Sequence, residues 1–245
     1  MIELLQSCTS TNTVLAARHD APHGTVVATY TPTAGRGQRG NSWEAEPGKN
    51  LTFSMLLRPA ALQAAHQFEL SMVVSLAIAD AIDEQLSPRV RTTIKWPNDI
   101  YIGAEKVCGI LIENRLAGMN VEQAIAGVGI NVNQQKFLSD APNPTSIIHH
   151  NGGQEIALEP FLNRVCDMIL DYWAEYEAKP DTEALSKRYF SRLLWTSGEH
   201  PFADADGTFD AHIEAVDPDG ILHLSNGRAY AFKEVSFLIP QKVCN

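Results

Sequence analysis

The stretch RVRTTIKWPNDIYIGAEKVCGILIENRLAGMNVEQAIAGVGINVN, residues 89–133, decides the fold class. RVRTTIKW has strand composition and stops at Pro97, which has no N–H to give to a ladder and turns the chain away. IYIGAEKVCGILIE places two apolar runs around a Gly-Ala-Glu tip and reads as a hairpin, and NVEQAIAGVGINVN offers a further strand. Strands and helices mix along the chain without regular β-helix-β alternation. The predicted class is therefore α+β, with a mixed or antiparallel sheet rather than a doubly wound one.

Upstream, Ile2–Leu5 and Thr25–Tyr30 are strand candidates, and Ser10 or Thr11 can cap a short helix running to about His19. LTFSMLL, residues 51–57, is another strand. From about His66 to Leu86 apolar residues recur at spacings of three and four, the mark of a helix with a buried face. Downstream, Phe161, Val165, Met168, Ile169, Tyr172, Trp173 and Tyr176 form one apolar stripe on a helix over 160–177, and a further helix is predicted over 182–195. From Gly198 short alternating runs punctuated by Asp-Pro-Asp-Gly and Asn-Gly predict a small β-barrel. This divides the chain into a module over 1–195 and a barrel over 196–245.

Of 245 residues, 44% are hydrophobic and 20% charged, which is ordinary globular usage. The 19 Lys and Arg against 29 Asp and Glu give a net charge of −10, the wrong sign for a protein held to nucleic acid by general phosphate attraction. Cys8, Cys108, Cys166 and Cys244 form no CxxC pair and are read as reduced thiols. His149-His150 has no third ligand at a recognisable spacing, so the pair is read as solvated loop histidines and no protein-held metal is predicted. No run approaching a bilayer-spanning length is read in the chain, and a cytoplasmic protein with no membrane partner is expected.

Residues 31–49, TPTAGRGQRGNSWEAEPGK, are glycine-rich and nearly free of apolar side chains. Loops of this length are usually binding loops or lids. In Gly35-Arg36-Gly37-Gln38-Arg39-Gly40 the glycines let backbone amides approach an anion while two guanidiniums supply paired donors; a flexible surface loop or an RNA-touching Arg-Gly segment is the alternative. The pattern is neither a Walker A loop nor a dinucleotide-binding turn. Lys95-Trp-Pro-Asn98-Asp99 gathers functional side chains where a turn alone would explain only the last three. Lys106 leads a buried run in which Gly109 leaves room for a close neighbour; an exposed lysine at a strand start is the alternative. Gly127 and Gly129 inside a strand signal close approach by another group or a bulge. Cys108, between Val107 and Gly109, reads as a small buried thiol.

Ser10-Thr11-Asn12, AGRGQRGNSW, KWPND, KVCGILIE and GVGINVN occur in one order within the first 133 residues, and together they resemble the biotin protein ligases. The resemblance implies a class II synthetase-like catalytic fold with an SH3-like C-terminal barrel. It implies activation of biotin by Mg2+-bound ATP to biotinyl-5′-AMP, then transfer to a lysine of a biotin carboxyl carrier domain of a carboxylase, by a monomer or homodimer. By position, Ser10, Thr11 and Asn12 would meet the ureido ring, and Arg36 and Lys106 would bracket the biotin carboxylate and α-phosphate. Arg39 would bind phosphate, with Gly35, Gly37, Gln38, Gly40 and Asn41 folding over the intermediate and Gly109 and Gly129 making room. Trp43, Asn98 and Asn131 would lie on the nucleotide side, and Asp99 would assist the acceptor lysine. Pro32 stands where the family often has Gln, Gln38 where many members have Arg, and Asn41 where others have Arg. Regulatory members carry an N-terminal DNA-binding domain; with the Ser-Thr-Asn motif at 10–12, a monofunctional ligase without one, and without a nucleic-acid partner, is expected. A lipoate or octanoate ligase or transferase, and a non-catalytic biotin-binding module, are the rival readings.

Overall fold

The computed structural model describes residues 1–33, 43–139 and 142–241. Seven strands form one sheet in the order β1-β2-β3-β7-β6-β5-β4. They are β1 (Ile2–Leu5), β2 (Val26–Thr29), β3 (Leu51–Leu57), β4 (Thr92–Lys95), β5 (Asp99–Ile102), β6 (Glu105–Ala117) and β7 (Asn120–Ile130). Only β1 and β2 are parallel; every other pairing is antiparallel, so the sheet is mixed as the α+β reading requires.

Because strand side chains alternate between faces, the two sides of this sheet are different surfaces. One side carries Phe53, Met55, Ala126, Val128, Cys108 and Ile110, all buried in the main core. Helices α2 (Phe68–Asp83), α3 (Leu158–Ala178) and α4 (Thr182–Phe190) build that core, α2 packing against both others and β4. On the other side the short helix α1 (Thr11–Ala16) lies over β2, β3 and β7. There Leu15, Val27, Leu56 and Ile125 form a small separate cluster. This second face is only partly roofed by α1.

Several boundaries depart from the sequence reading. Helix α1 ends at Ala16 rather than near His19, α2 begins at Phe68, and α4 stops at Phe190 although a helix to Trp195 is predicted. In the last case the chain leaves the helix to serve the sheet: Ile94 N–H donates to Arg192 O at 2.7 Å, and Leu194 N–H donates to Ile94 O at 2.9 Å. The otherwise open edge of β4 is thereby paired. β6 runs on to Ala117, and a second hairpin, with Gly118 at φ 62°, joins it to β7. The predicted tip at Gly103, φ 59°, joins β5 to β6. The stretch Ala64–Asp83 is long and apolar enough to cross a membrane, contrary to the sequence reading, but it is mostly buried as the core helix of the fold.

Tyr172 and Tyr176 of α3 are half-buried rather than core. Their hydroxyls donate to Asp80 at 2.9 Å and to Glu69 at 2.5 Å. Glu69, 2% exposed, also accepts from Thr182 at 2.6 Å, so this buried carboxylate is satisfied. Beyond α4, β8 (His200–Asp204), β9 (Gly207–Ala211) and β13 (Ser236–Phe237) form one three-stranded sheet, and β10 (Ile213–Val216), β11 (Leu222–Leu224) and β12 (Ala229–Tyr230) form another. Trp195, Phe202 and Phe237 pack on one another with ring centroids 4.8–5.3 Å apart. This small two-sheet unit answers to the predicted barrel. It touches the large sheet where Trp96 Nε1 donates to Gly220 O at 3.2 Å.

Phe53 lies at the centre of β3 with no exposed surface, whereas Leu116, near the β6–β7 turn, is 49% exposed. Phe53→Ala is expected to cost about 3–5 kcal/mol in urea denaturation and Leu116→Ala less than about 0.5 kcal/mol. Equal costs would contradict the assignment of the core face.

Candidate functional site

The partly roofed face carries three rows of residues, set by register across β3, β7 and β6. The first is Thr52, Gly129 and Gly109; the second is Ser54, Gly127 and Leu111; the third is Leu56, Ile125 and Glu113. Successive rows are about 7 Å apart along the strands. Apolar Leu15 covers the third row. Thr52, Gly129 and Gly109 of the first row and Gly127 and Leu111 of the second form the floor of a cleft that is also lined by Ser10, Thr11, Asn12, Trp43, Asp99 and Lys106.

The glycines are what leave this floor open. A Cβ on Gly129 would lie 2.5 Å from Trp43 Cε2, and one on Gly109 would lie 3.1 Å from the same ring. A Cβ on Gly127 would collide with the Asn12 carboxamide. Trp43 therefore rests on the first row and Asn12 on the second. This is the close approach that the glycine-bearing strand signals, with neighbouring side chains as the approaching groups. Glu44, next to Trp43, anchors that chain segment by accepting the backbone N–H groups of Leu138 and Ser139 at 2.9 and 2.8 Å. Burial raises the Glu44 carboxyl, but hydrogen bonds from Ser139, Leu138 and Gln134 outweigh it and hold the group below its ordinary value.

Lys106 reaches the cleft through a bulge. Ile100 pairs with Cys108 and Tyr101 with Lys106, so two residues of β5 face three of β6, and the alternation slips by one. Val107 and Cys108 are both buried in consequence, and burial in the core pushes the Cys108 thiol up. The Lys106 backbone is pinned by the following loop: its N–H donates to Asn143 O at 2.8 Å and its carbonyl accepts from Thr145 N–H at 2.9 Å. Its ammonium donates to Asp99 Oδ2 at 2.7 Å and stands 5.8 Å from the centroid of the Trp43 ring. It is a half-buried, paired cation, not an exposed strand-start lysine.

At the start of α1, Ser10 is the N-cap, its Oγ accepting from Thr13 N–H at 3.4 Å, while Thr11 and Asn12 are buried and line the cleft. The structure thus brings together Ser10, Thr11, Asn12, Trp43, Asp99, Lys106, Gly109 and Gly129 from five separate motifs of the sequence. Gly35, Arg36, Gly37, Gln38, Arg39, Gly40 and Asn41 lie outside the described residues. Two predicted contacts stand elsewhere. Asn98 is buried in the turn after Pro97 and faces a different groove, shared with Gly220 and Phe232. Asn131, just past β7, donates to Thr145 O at 3.0 Å and does not line the cleft. Pro32 does line it, so the family's glutamine position is indeed a cleft position, occupied here by an apolar ring. His150 is not a solvated loop histidine: it is half-buried, 2.9 Å from Thr145 Oγ1 and 3.9 Å from Glu105.

Cys8 lines the cleft, and Ser54 and Glu113 hold the lining residues Thr11 and Asn12; sequence reasoning gave none of the three a role there. Ser54 had a usable signal, being with Thr52 one of two polar residues at alternate places in the otherwise apolar run LTFSMLL. Glu113, the last residue of KVCGILIE, reads as solvent-facing and is exposed; only its hydrogen bond to Asn12 has no sign in the sequence. The Cys8 thiol, half-buried in the cleft wall, is raised by that burial.

Residues 4–131 match the model of the biotin/lipoate A/B protein ligase family. The bifunctional ligase/repressor BirA of Bacillus subtilis is 30% identical over 217 residues, covering 85% of this chain, which spans 63% of that protein's length. The biotin–[acetyl-CoA-carboxylase] ligase of Paracoccus denitrificans is 32% identical over 209 residues, covering 78% of this chain and 80% of that protein. Among solved structures, the biotin protein ligase of Aquifex aeolicus in complex with biotin and ATP superposes with a TM-score of 0.78 over 98% of this chain and 99% of its own, at 24% identity. With the sheet, its glycine floor and the cleft on one face, these likenesses agree: the chain belongs to the biotin/lipoate A/B protein ligase family.

Proposed function

We propose that this protein joins biotin to ATP, releasing pyrophosphate, and then passes the biotinyl group to one lysine of a biotin carboxyl carrier domain. In the first step a carboxylate oxygen of biotin attacks the α-phosphorus and the bond to pyrophosphate breaks, leaving biotinyl-5′-AMP. In the second, the lysine amine attacks the acyl carbon, AMP departs and the amine gives up a proton. ATP would enter as its Mg2+ complex, the ion supplying charge neutralisation at the phosphates.

The observation that carries this reading is the pairing of two unlike neighbouring rows. Over the second row stand the neutral donors and acceptors of Thr11 and Asn12, suited to an uncharged ring. Over the first stand an aromatic plane and a fixed cation, suited to a nucleotide and its phosphate. A ligand lying along the strands meets both, which fits a molecule with a polar ring at one end and a carboxylate at the other.

Joining a carboxylate to a phosphate brings like charges together, and a cation already in place lowers that barrier without reorganising. Lys106 supplies it, with Asp99 holding the ammonium in position until an anion competes for it. Asp99 is also the only carboxylate among the described residues that line the cleft, and this reading gives it the acceptor lysine's proton in the second step. Arg36 and Arg39 are assigned to the carboxylate and phosphates on the sequence alone, with the 35–40 loop covering the adenylate against water. Trp43 packs against the adenine or orders that loop. Asn98 and Asn131 stand away from the cleft, and this reading gives them no contact with the ligand there.

Incubation with biotin, Mg-ATP and a carrier domain is expected to add one biotinyl group to one lysine, read by intact mass. Absence of product together with absence of biotin-dependent pyrophosphate release would overturn the reading. Lys106→Ala and Arg36→Ala are each expected to slow adenylate formation at least about a hundredfold; near-normal pyrophosphate release by both would remove them from the mechanism.

A further inference from the structure

Asn12 is held from two sides by residues that the proposed chemistry does not use. Its Nδ2 donates to Glu113 Oε2 at 2.6 Å, and its Oδ1 lies 2.5 Å from Ser54 Oγ. Ser54, fully buried, also lies 2.6 Å from Thr11 Oγ1. The four groups form one hydrogen-bonded line at the start of α1: Glu113, Asn12, Ser54, Thr11.

The direction of every proton in this line follows from its end. An ionised carboxylate can only accept, so Glu113 compels the Asn12 amide to present its NH2 on that side and its carbonyl oxygen toward Ser54. A carbonyl oxygen can only accept, so it takes the one proton of the Ser54 hydroxyl. Ser54 is then an acceptor toward Thr11, and the Thr11 hydroxyl spends its own proton on Ser54. What Thr11 offers a ligand in the cleft is a lone pair. A ligand that presents N–H at this point is satisfied; one that presents an oxygen lone pair faces a buried acceptor with nothing to donate.

We infer that Glu113 and Ser54 are positioning residues that set Thr11 as an obligate hydrogen-bond acceptor, and so select ligands bearing a ring N–H. The inference rests on the biotin reading, since the ureido ring supplies that N–H, and it predicts discrimination against acids such as lipoate or octanoate whose distal ends carry none. Neither residue needs to touch the ligand. Gln at 113 would remove the compulsion, because its amide can face Asn12 either way. The Asn12 amide could then reverse, Ser54 would donate to Thr11, and the Thr11 proton would be freed for the ligand.

The test compares biotin with its isosteric cyclic carbamate, in which oxygen replaces one ring N–H, by calorimetric titration of the full chain. Of the two regioisomers, the more weakly bound by the wild type is used. The wild type is expected to prefer biotin by at least about tenfold, the worth of one buried hydrogen bond. Glu113→Gln and Ser54→Ala are each expected to bring the two ligands to within about threefold of each other, with Glu113→Gln retaining the wild-type melting temperature. A merely structural role would weaken both ligands alike and leave the ratio unchanged. An unchanged ratio in Glu113→Gln, or a wild type that binds both regioisomers as tightly as biotin, overturns the inference while leaving biotin as the ligand. Failure of the wild type to bind biotin at all overturns the biotin reading, and this inference with it.

Discussion

Three glycines on one face of a buried sheet, Gly109, Gly127 and Gly129, are the constraint on which the rest of this structure depends. The opposite face is buried in the core that α2 and α3 build, so the sheet has little room to yield on that side. Any group brought to the cleft face must therefore find its room in the strands themselves. Glycines in two adjacent rows allow the Trp43 ring and the Asn12 amide to lie directly on the backbone, and the cleft is the space they define between α1, β6 and the 43–50 segment. The cost is borne by long ladders: β7 is paired on both sides over most of its length, which compensates for the weak strand propensity of glycine.

The second organising device is the bulge at the start of β6. Regular alternation would turn Lys106 away from the face that bears Gly109. One extra residue reverses its aim, and the segment 143–145 pins the reoriented backbone from outside the sheet. Lys106 is thereby a cation held by both its backbone and its Asp99 partner, in a chain whose net charge is −10. The acidic surface draws no anion in, so recognition of a phosphate falls to a few fixed local charges.

Much of this is legible in the sequence because alternation and helical period are local properties. The strand LTFSMLL is found at its exact bounds, and glycines within GVGINVN announce a close neighbour without saying which. The motif residues that line the cleft are recognisable because their residue types are unusual where they stand. What could not be read depends on register. Nothing local says that Ser54 faces Gly127, that Glu113 stands one row beyond, or that Asn98 points into a groove on the C-terminal unit. The end of α4 was missed for the same reason: residues 191–195 have helical composition, but the open edge of β4 claims their backbone.

Calorimetric titration of biotin into the wild type and into Gly127→Ala probes the glycine floor most directly, because a single methyl group placed there meets the Asn12 amide and nothing in the opposite core. Binding by the wild type, with affinity lowered at least about tenfold in the alanine variant while its far-ultraviolet circular dichroism is retained, is the expected result. Equal affinity in the two proteins would contradict the central claim that the side-chain-free floor makes the binding site.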